Sequence, residues 1–80
     1  MFIVMEIQVN AEGQVATLVS TYETLAQAMN KYYTILAFAV VSTVPKHSAV
    51  ILDQMGVLLE RNGFEHPVEP EPEPEESEEQ

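Results

Sequence analysis

The sequence predicts an α+β fold: a ββαββ chain forming a four-stranded antiparallel sheet, strand order 2-1-3-4, with one helix on one face. Three observations predict it. Alternating apolar stretches occur in two pairs, one at each end of residues 1–66. Each pair is joined by a turn of the form Asn/Asp-x-x-Gly. Between the pairs lies one long segment with apolar residues at helical spacing, closed by Pro45.

The first strand is residues 2–9, FIVMEIQV. Ile3, Met5, Ile7 and Val9 share one wholly apolar face, and Phe2, Val4, Glu6 and Gln8 share the other. Period-two alternation with β-branched residues is the mark of a strand. Asn10-Ala11-Glu12-Gly13 follows, in which Asn caps a turn and Gly supplies the left-handed residue that closes it. Residues 14–20 return. Residues 47–54 and 57–64 repeat the plan around Asp53-Gln54-Met55-Gly56.

The central segment is a helix over residues 22–42. Ser20 and Glu23 form a capping box, with Thr21 as a rival cap. Pro45 ends the helix near Thr43. Such a helix is about 30 Å long and an eight-residue strand about 27 Å, so it can lie along the sheet. A right-handed crossover between strands 2 and 3 is strongly preferred, and docking strand 3 beside strand 1 makes every neighbouring pair antiparallel and puts the two most apolar strands in the middle. Leu25, Met29, Tyr32, Leu36 and Val40 form the stripe expected to face the sheet.

That stripe does not use up the apolar surface. Residues 35–41 are apolar without a break. Tyr33, Ala37 and Val41 lie on one flank of the helix, Ile35 and Phe38 on the other. Phe2 and Val4 are expected on the free sheet face. An extended apolar patch marks an interface, so Phe2, Val4, Tyr33, Ile35, Ala37, Phe38 and Val41 are the expected surface of a homo-oligomer, most simply a two-fold dimer.

The chain has 80 residues and a formal charge of −10. The folding unit expected is residues 1–66. Residues 67–80, PVEPEPEPEESEEQ, hold seven glutamates and no cation. They are expected to form a disordered or extended acidic tail, because they cannot bury enough surface to offset their ordering. A unit of this size buries only about 60% of its unfolded surface. With no cysteine for a disulfide, association is the staple that remains. The acidic balance argues against direct binding to nucleic acid or an anionic membrane, and the tail suits a basic protein partner. MFIVMEIQV lacks the charged start and cleavage site of a signal peptide, and no apolar run approaches the ~20 residues of a membrane span. A cytoplasmic protein is expected.

No catalytic or metal-binding signature stands out, and no cofactor is implied. Ser42, His47 and Ser48 have no nucleophile elbow around them. His47 and Asp53 lie about 20 Å apart along one strand. Lys31, Tyr32 and Tyr33 form a polar-aromatic cluster that suits either helix-edge packing or a stacked ligand. Lys46 and His47 are the densest basic spot of the body, with Arg61 as a further contact. Lys31, Lys46, His47 and Arg61 are therefore the candidate ligand or partner contacts.

Over residues 20–56, STYETLAQAMNKYYTILAFAVVSTVPKHSAVILDQMG, the chain resembles small acidic proteins of tailed phages and prophages of gut bacteria. The resemblance lies in the hairpin, the Lys-Tyr-Tyr helix running to Ala-Val-Val-Ser, and the Val-Pro-Lys-His-Ser-Ala-Val-Ile-Leu strand. It covers residues 1–66 and carries no site residues. It implies a phage context, in which small acidic proteins are inhibitors of host defence or minor virion parts. The expectation is a non-catalytic, homo-oligomeric binding protein acting in the host cytosol on a host factor or small ligand. The alternative is a structural virion or assembly protein.

Overall fold

The computed structural model describes residues 1–67. The elements are β1 (Phe2–Val9), β2 (Val15–Tyr22), α1 (Leu25–Ala39), β3 (Lys46–Asp53) and β4 (Leu58–Glu65). The four strands form one sheet in the order β2-β1-β3-β4, and every neighbouring pair is antiparallel. This is the predicted ββαββ arrangement. Apart from Pro67, the tail expected over 67–80 lies outside the described residues.

Both hairpins close by the same device. Asn10 Oδ1 accepts hydrogen bonds from the backbone N–H groups of Glu12 and Gln14, each at 2.9 Å. Asp53 Oδ1 does the same for Met55 at 2.8 Å and Val57 at 2.9 Å. Gly13 and Gly56 sit at φ 83° and 86°, in the left-handed region that a side chain makes costly. Three-residue hairpin loops of this kind tighten and twist the ladder they close.

The helix is shorter than expected, 15 residues rather than about 20. Ser20, Thr21 and Tyr22 remain in β2, opposite Val4, Ile3 and Phe2. The capping box is Thr24 with Gln27: the Gln27 N–H donates to Thr24 Oγ1 at 3.2 Å, and the Thr24 N–H donates to Gln27 Oε1 at 3.4 Å. Extending β2 pairs the first turn's worth of backbone with β1, and Thr-x-x-Gln serves the helix start as well as Ser-x-x-Glu. At the other end, the His66 ring nitrogen Nε2 lies 2.8 Å from the Ala39 carbonyl oxygen. The last residue of the helix is thereby tied to the chain just after β4.

The buried seam of α1 is Ala28, Tyr32, Ile35 and Ala39. Of the expected stripe only Tyr32 belongs to it. Met29 and Leu36 pack at its sides, while Leu25 and Val40 are 45% and 49% exposed. Small residues at the line of contact let the helix axis approach the sheet, and the larger neighbours then cover the flanks. Ala49 on β3 continues the same close approach from the sheet side, beside Val4 and Ile51, all three fully buried.

Val4 identifies the covered face. The helix lies on the side of β1 that carries Phe2, Val4, Glu6 and Gln8, with Phe2 packed against the core. The expected assignment of the two sheet faces is therefore reversed. Val4 and Ile35 belong to the core and not to an open surface. Two parallel strands flanking β1 are joined through α1, and the hand of such a crossover follows strand twist. Twist thus selects the covered face, and the number of apolar residues on each face does not.

Candidate functional site

The open face is the more apolar one. By alternation from the paired registers, it carries Ile3, Met5, Ile7 and Val9 on β1 and Val15, Thr17, Val19 and Thr21 on β2. β3 contributes Lys46, Ser48, Val50 and Leu52, and β4 contributes Arg61, Gly63 and Glu65. Val15 and Val19 are 64% and 58% exposed. Nothing within the described residues lies over this face, because the single helix occupies the other.

Charge is distributed unevenly. Glu6 and Glu60 share the helix side of the sheet, opposite Leu18 and Ile51 in the register. Glu12 and Asp53 stand in or beside the turns, and Glu23 precedes the helix. Among the described residues, the charges on the open face are Lys46, Arg61 and Glu65, all at the β3–β4 edge. Lys46 Nζ is 3.9 Å from Glu65 Oε2, with both side chains largely exposed. An exposed pair at this distance holds little energy.

Between these charges the sheet has a notch. Ser48 faces Gly63 across β3 and β4. A Cβ on Gly63 would stand 2.5 Å from Ser48 Cβ and 3.1 Å from Ser48 Cα, so only glycine allows the two strands to run this close. The resulting depression is about 640 Å³, lined among others by Ile7, Lys46, Ser48, Val50, Arg61 and Gly63. The structure thus brings Lys46 and Arg61 to one cavity.

His47 behaves differently. Its side chain is 5% exposed, and Nε2 lies 2.5 Å from Glu6 Oε2 beneath the helix side of the sheet. A carboxylate only accepts, so Nε2 carries the proton in this contact. Gln8 Nε2 donates to the same oxygen at 2.9 Å. Burial pushes the Glu6 carboxyl up, but these two hydrogen bonds and the charges of His47 and Lys31 outweigh it, and the group sits below its ordinary value. His47 Nδ1 is buried without a partner. The His47 side chain is committed to Glu6, while the residue still borders the depression that Lys46 and Arg61 line. Sequence reading missed the pairing with Glu6 because it depends on register. Gln8 faces His47 across β1 and β3, which makes Glu6 the diagonal neighbour of His47 on the same face. A lone acid, two residues from Gln8 in a strand whose other residues are apolar, was the available signal.

Lys31, Tyr32 and Tyr33 do not form one cluster. Tyr32 is in the core, where burial first, then the charge of Glu60 and the neighbouring Tyr33, pushes its hydroxyl up. Tyr33 meets it edge-on, with ring centroids 5.3 Å apart. Lys31 borders a separate groove on the helix with Tyr22, Gln27 and Thr34. On the outer helix flank Tyr33, Phe38 and Val41 are exposed, and so is Ala37.

Compared with known proteins, the chain matches no family model, no curated protein and no solved structure. Among the described residues, no helix is long and apolar enough to cross a membrane.

Proposed function

We propose that the chain is a non-catalytic, self-associating binding protein whose open sheet face meets the same face of a second copy. The observation that carries this reading is the uncovered face of β1, apolar at all four of its positions. Four strands at about 4.8 Å spacing and eight residues at about 3.3 Å rise give a footprint near 500 Å² before side-chain relief is counted. A standard interface buries about 800 Å² of accessible surface per partner, so one such face supplies most of a stable contact. Charge permits the approach. In a chain of formal charge −10, this face carries a single acid, Glu65, and that acid is paired with Lys46. Two sheets stacked about 10 Å apart would bury both apolar faces and leave the helices outside.

The test is sedimentation velocity at micromolar concentration. Wild type should run as a dimer. Met5→Lys, or Val19→Lys on the edge strand β2, should give a folded monomer, while Phe38→Ser on the helix flank should leave the dimer intact. A dimer broken by Phe38→Ser alone would move the interface to Tyr33, Ala37, Phe38 and Val41. A well-folded wild-type monomer would overturn self-association and leave the sheet face to a foreign protein.

The biological role proposed is capture of a host factor by a phage-encoded dimer. One observation favours the alternative of a structural virion part: Phe38 and Val41, 67% and 76% exposed, give a second apolar surface on the far side of the molecule from the open sheet face. Two opposed sticky surfaces suit an assembly. Fixed stoichiometry in purified particles would select that role, and absence from particles would select the first.

A further inference from the structure

We propose that the notch between Ser48 and Gly63 binds a small organic anion, with its carboxylate or phosphate group between Lys46 and Arg61 and its apolar body on Ile7 and Val50. The site lies within one chain at the polar rim of the open face. It does not rest on self-association, and because Ile7 and Val50 belong to the face that a second copy would cover, ligand and second copy compete for it.

Four features point to a ligand. The first is shape. The depression of about 640 Å³ is within the range of small-molecule sites. It exists because two facing positions, Ser48 and Gly63, are small or bare where a sheet otherwise presents side chains. The second is placement of charge. Lys46 precedes Ser48 by two residues on β3, and Arg61 precedes Gly63 by two on β4. Because the strands are antiparallel, the two cations bracket the notch from opposite ends, each about 7 Å along its strand.

The third is scarcity. The chain has three cations against 13 acids, and two of the three border this one depression. A local positive potential in an acidic protein concentrates anions there. The fourth is availability. Among the described residues Arg61 has no ion-pair partner, and the Lys46–Glu65 contact is long and exposed, so a ligand anion can replace Glu65. The Arg61 guanidinium can hold a carboxylate or phosphate in bidentate fashion, and the Ser48 hydroxyl is a further donor beside it. The mixed lining, apolar from Ile7 and Val50 and polar from the rest, favours an anion with a hydrocarbon or aromatic body over a bare ion.

The test is a titration of the full chain, followed by amide chemical shifts, with phenyl phosphate, benzoate, inorganic phosphate and benzyl alcohol. Phenyl phosphate and benzoate should move Ser48, Arg61 and Gly63 in a saturable way, and comparing the two ranks phosphate against carboxylate. Inorganic phosphate should bind more weakly, and benzyl alcohol should not bind. Arg61→Gln and Lys46→Gln should each weaken binding by about tenfold, since each removes a charge-assisted contact. Both side chains are exposed, so these variants should keep the wild-type spectrum elsewhere. No shifts at millimolar probe, shifts centred on Lys31, or binding unchanged by both variants would overturn the proposal. So would binding seen only when the seven glutamates of residues 69–79 are replaced by glutamine, which would assign the notch to the chain's own acidic segment. Sedimentation of the same samples separates any of these results from a failure of the dimer.

Discussion

His47 has two ring nitrogens, and only one is served: Nε2 meets Glu6, while Nδ1 is buried alone. Removing the acid would leave both unserved. Glu6→Ala should therefore cost about 1–3 kcal/mol, the penalty for a buried group that loses its partner, read as a drop in the denaturation midpoint. The pair also makes stability depend on pH. The Glu6 carboxyl is lowered from 4.5 in the fold, so its contribution is complete above that value and is lost as pH falls through the lower, folded one. Melting temperature measured from pH 7 to pH 3 should fall less steeply below 4.5 in Glu6→Gln than in wild type; parallel curves would show that the pair does not matter. Gly63 is the second residue with a role of its own. A methyl there would collide with Ser48, so Gly63→Ala should destabilise by about 1–3 kcal/mol. Ser48→Gly in the same chain should restore much of the loss, and a lack of restoration would place the strain elsewhere. Neither role could be read from residue identity: each depends on which residue stands across the strand.

At the scale of elements, the hairpin turns were legible, because Asn10 and Asp53 with Gly13 and Gly56 are local chemistry that needs no tertiary partner. The helix was legible in existence and less so in its bounds. Ser20-x-x-Glu23 and Thr24-x-x-Gln27 both offer a capping box, and strand pairing decided between them by drawing Ser20 to Tyr22 into β2. Thr24→Ala should then cost about 1 kcal/mol, measured by thermal unfolding, whereas Ser20→Ala should not weaken the helix start. Equal losses from the two would mean the cap is shared. The buried seam was misjudged because hydrophobicity favours Leu25 and Val40, while close packing favours Ala28 and Ala39 at the line of contact.

On the scale of the whole molecule, one helix covers one face of a four-stranded sheet, and two apolar surfaces are left over. If the sheet face is closed by a second copy, unfolding is coupled to dissociation. The melting temperature should then rise with protein concentration, by mass action on the dimer, and Met5→Lys should abolish that rise. A melting temperature independent of concentration over a hundredfold range would count against an obligate dimer. The charge asymmetry belongs to this scale too. Of the acids of residues 1–66 all but Glu65 stand on the helix side, at the turns or before the helix, and Lys46 and Arg61 stand at one edge, an arrangement that no count of residues could show.

What the sequence by itself determined was the set of elements, their order and the strand arrangement. Period-two alternation, two Asn/Asp-x-x-Gly turns and one crossover leave little freedom for anything but order 2-1-3-4. It also determined that more apolar surface existed than one helix could cover. Tertiary structure decided which surface that is. Phe2 and Val4 were expected outside and lie under the helix, while Ile3, Met5, Ile7 and Val9 were left open. The physical reason is that alternation gives two faces but not their sides. The side is chosen by the twist and hand of the β2–α1–β3 crossover, and the register then brings Glu6 to His47 and Ser48 to Gly63. Those are long-range pairings, set by where three strands meet and by nothing within any one of them.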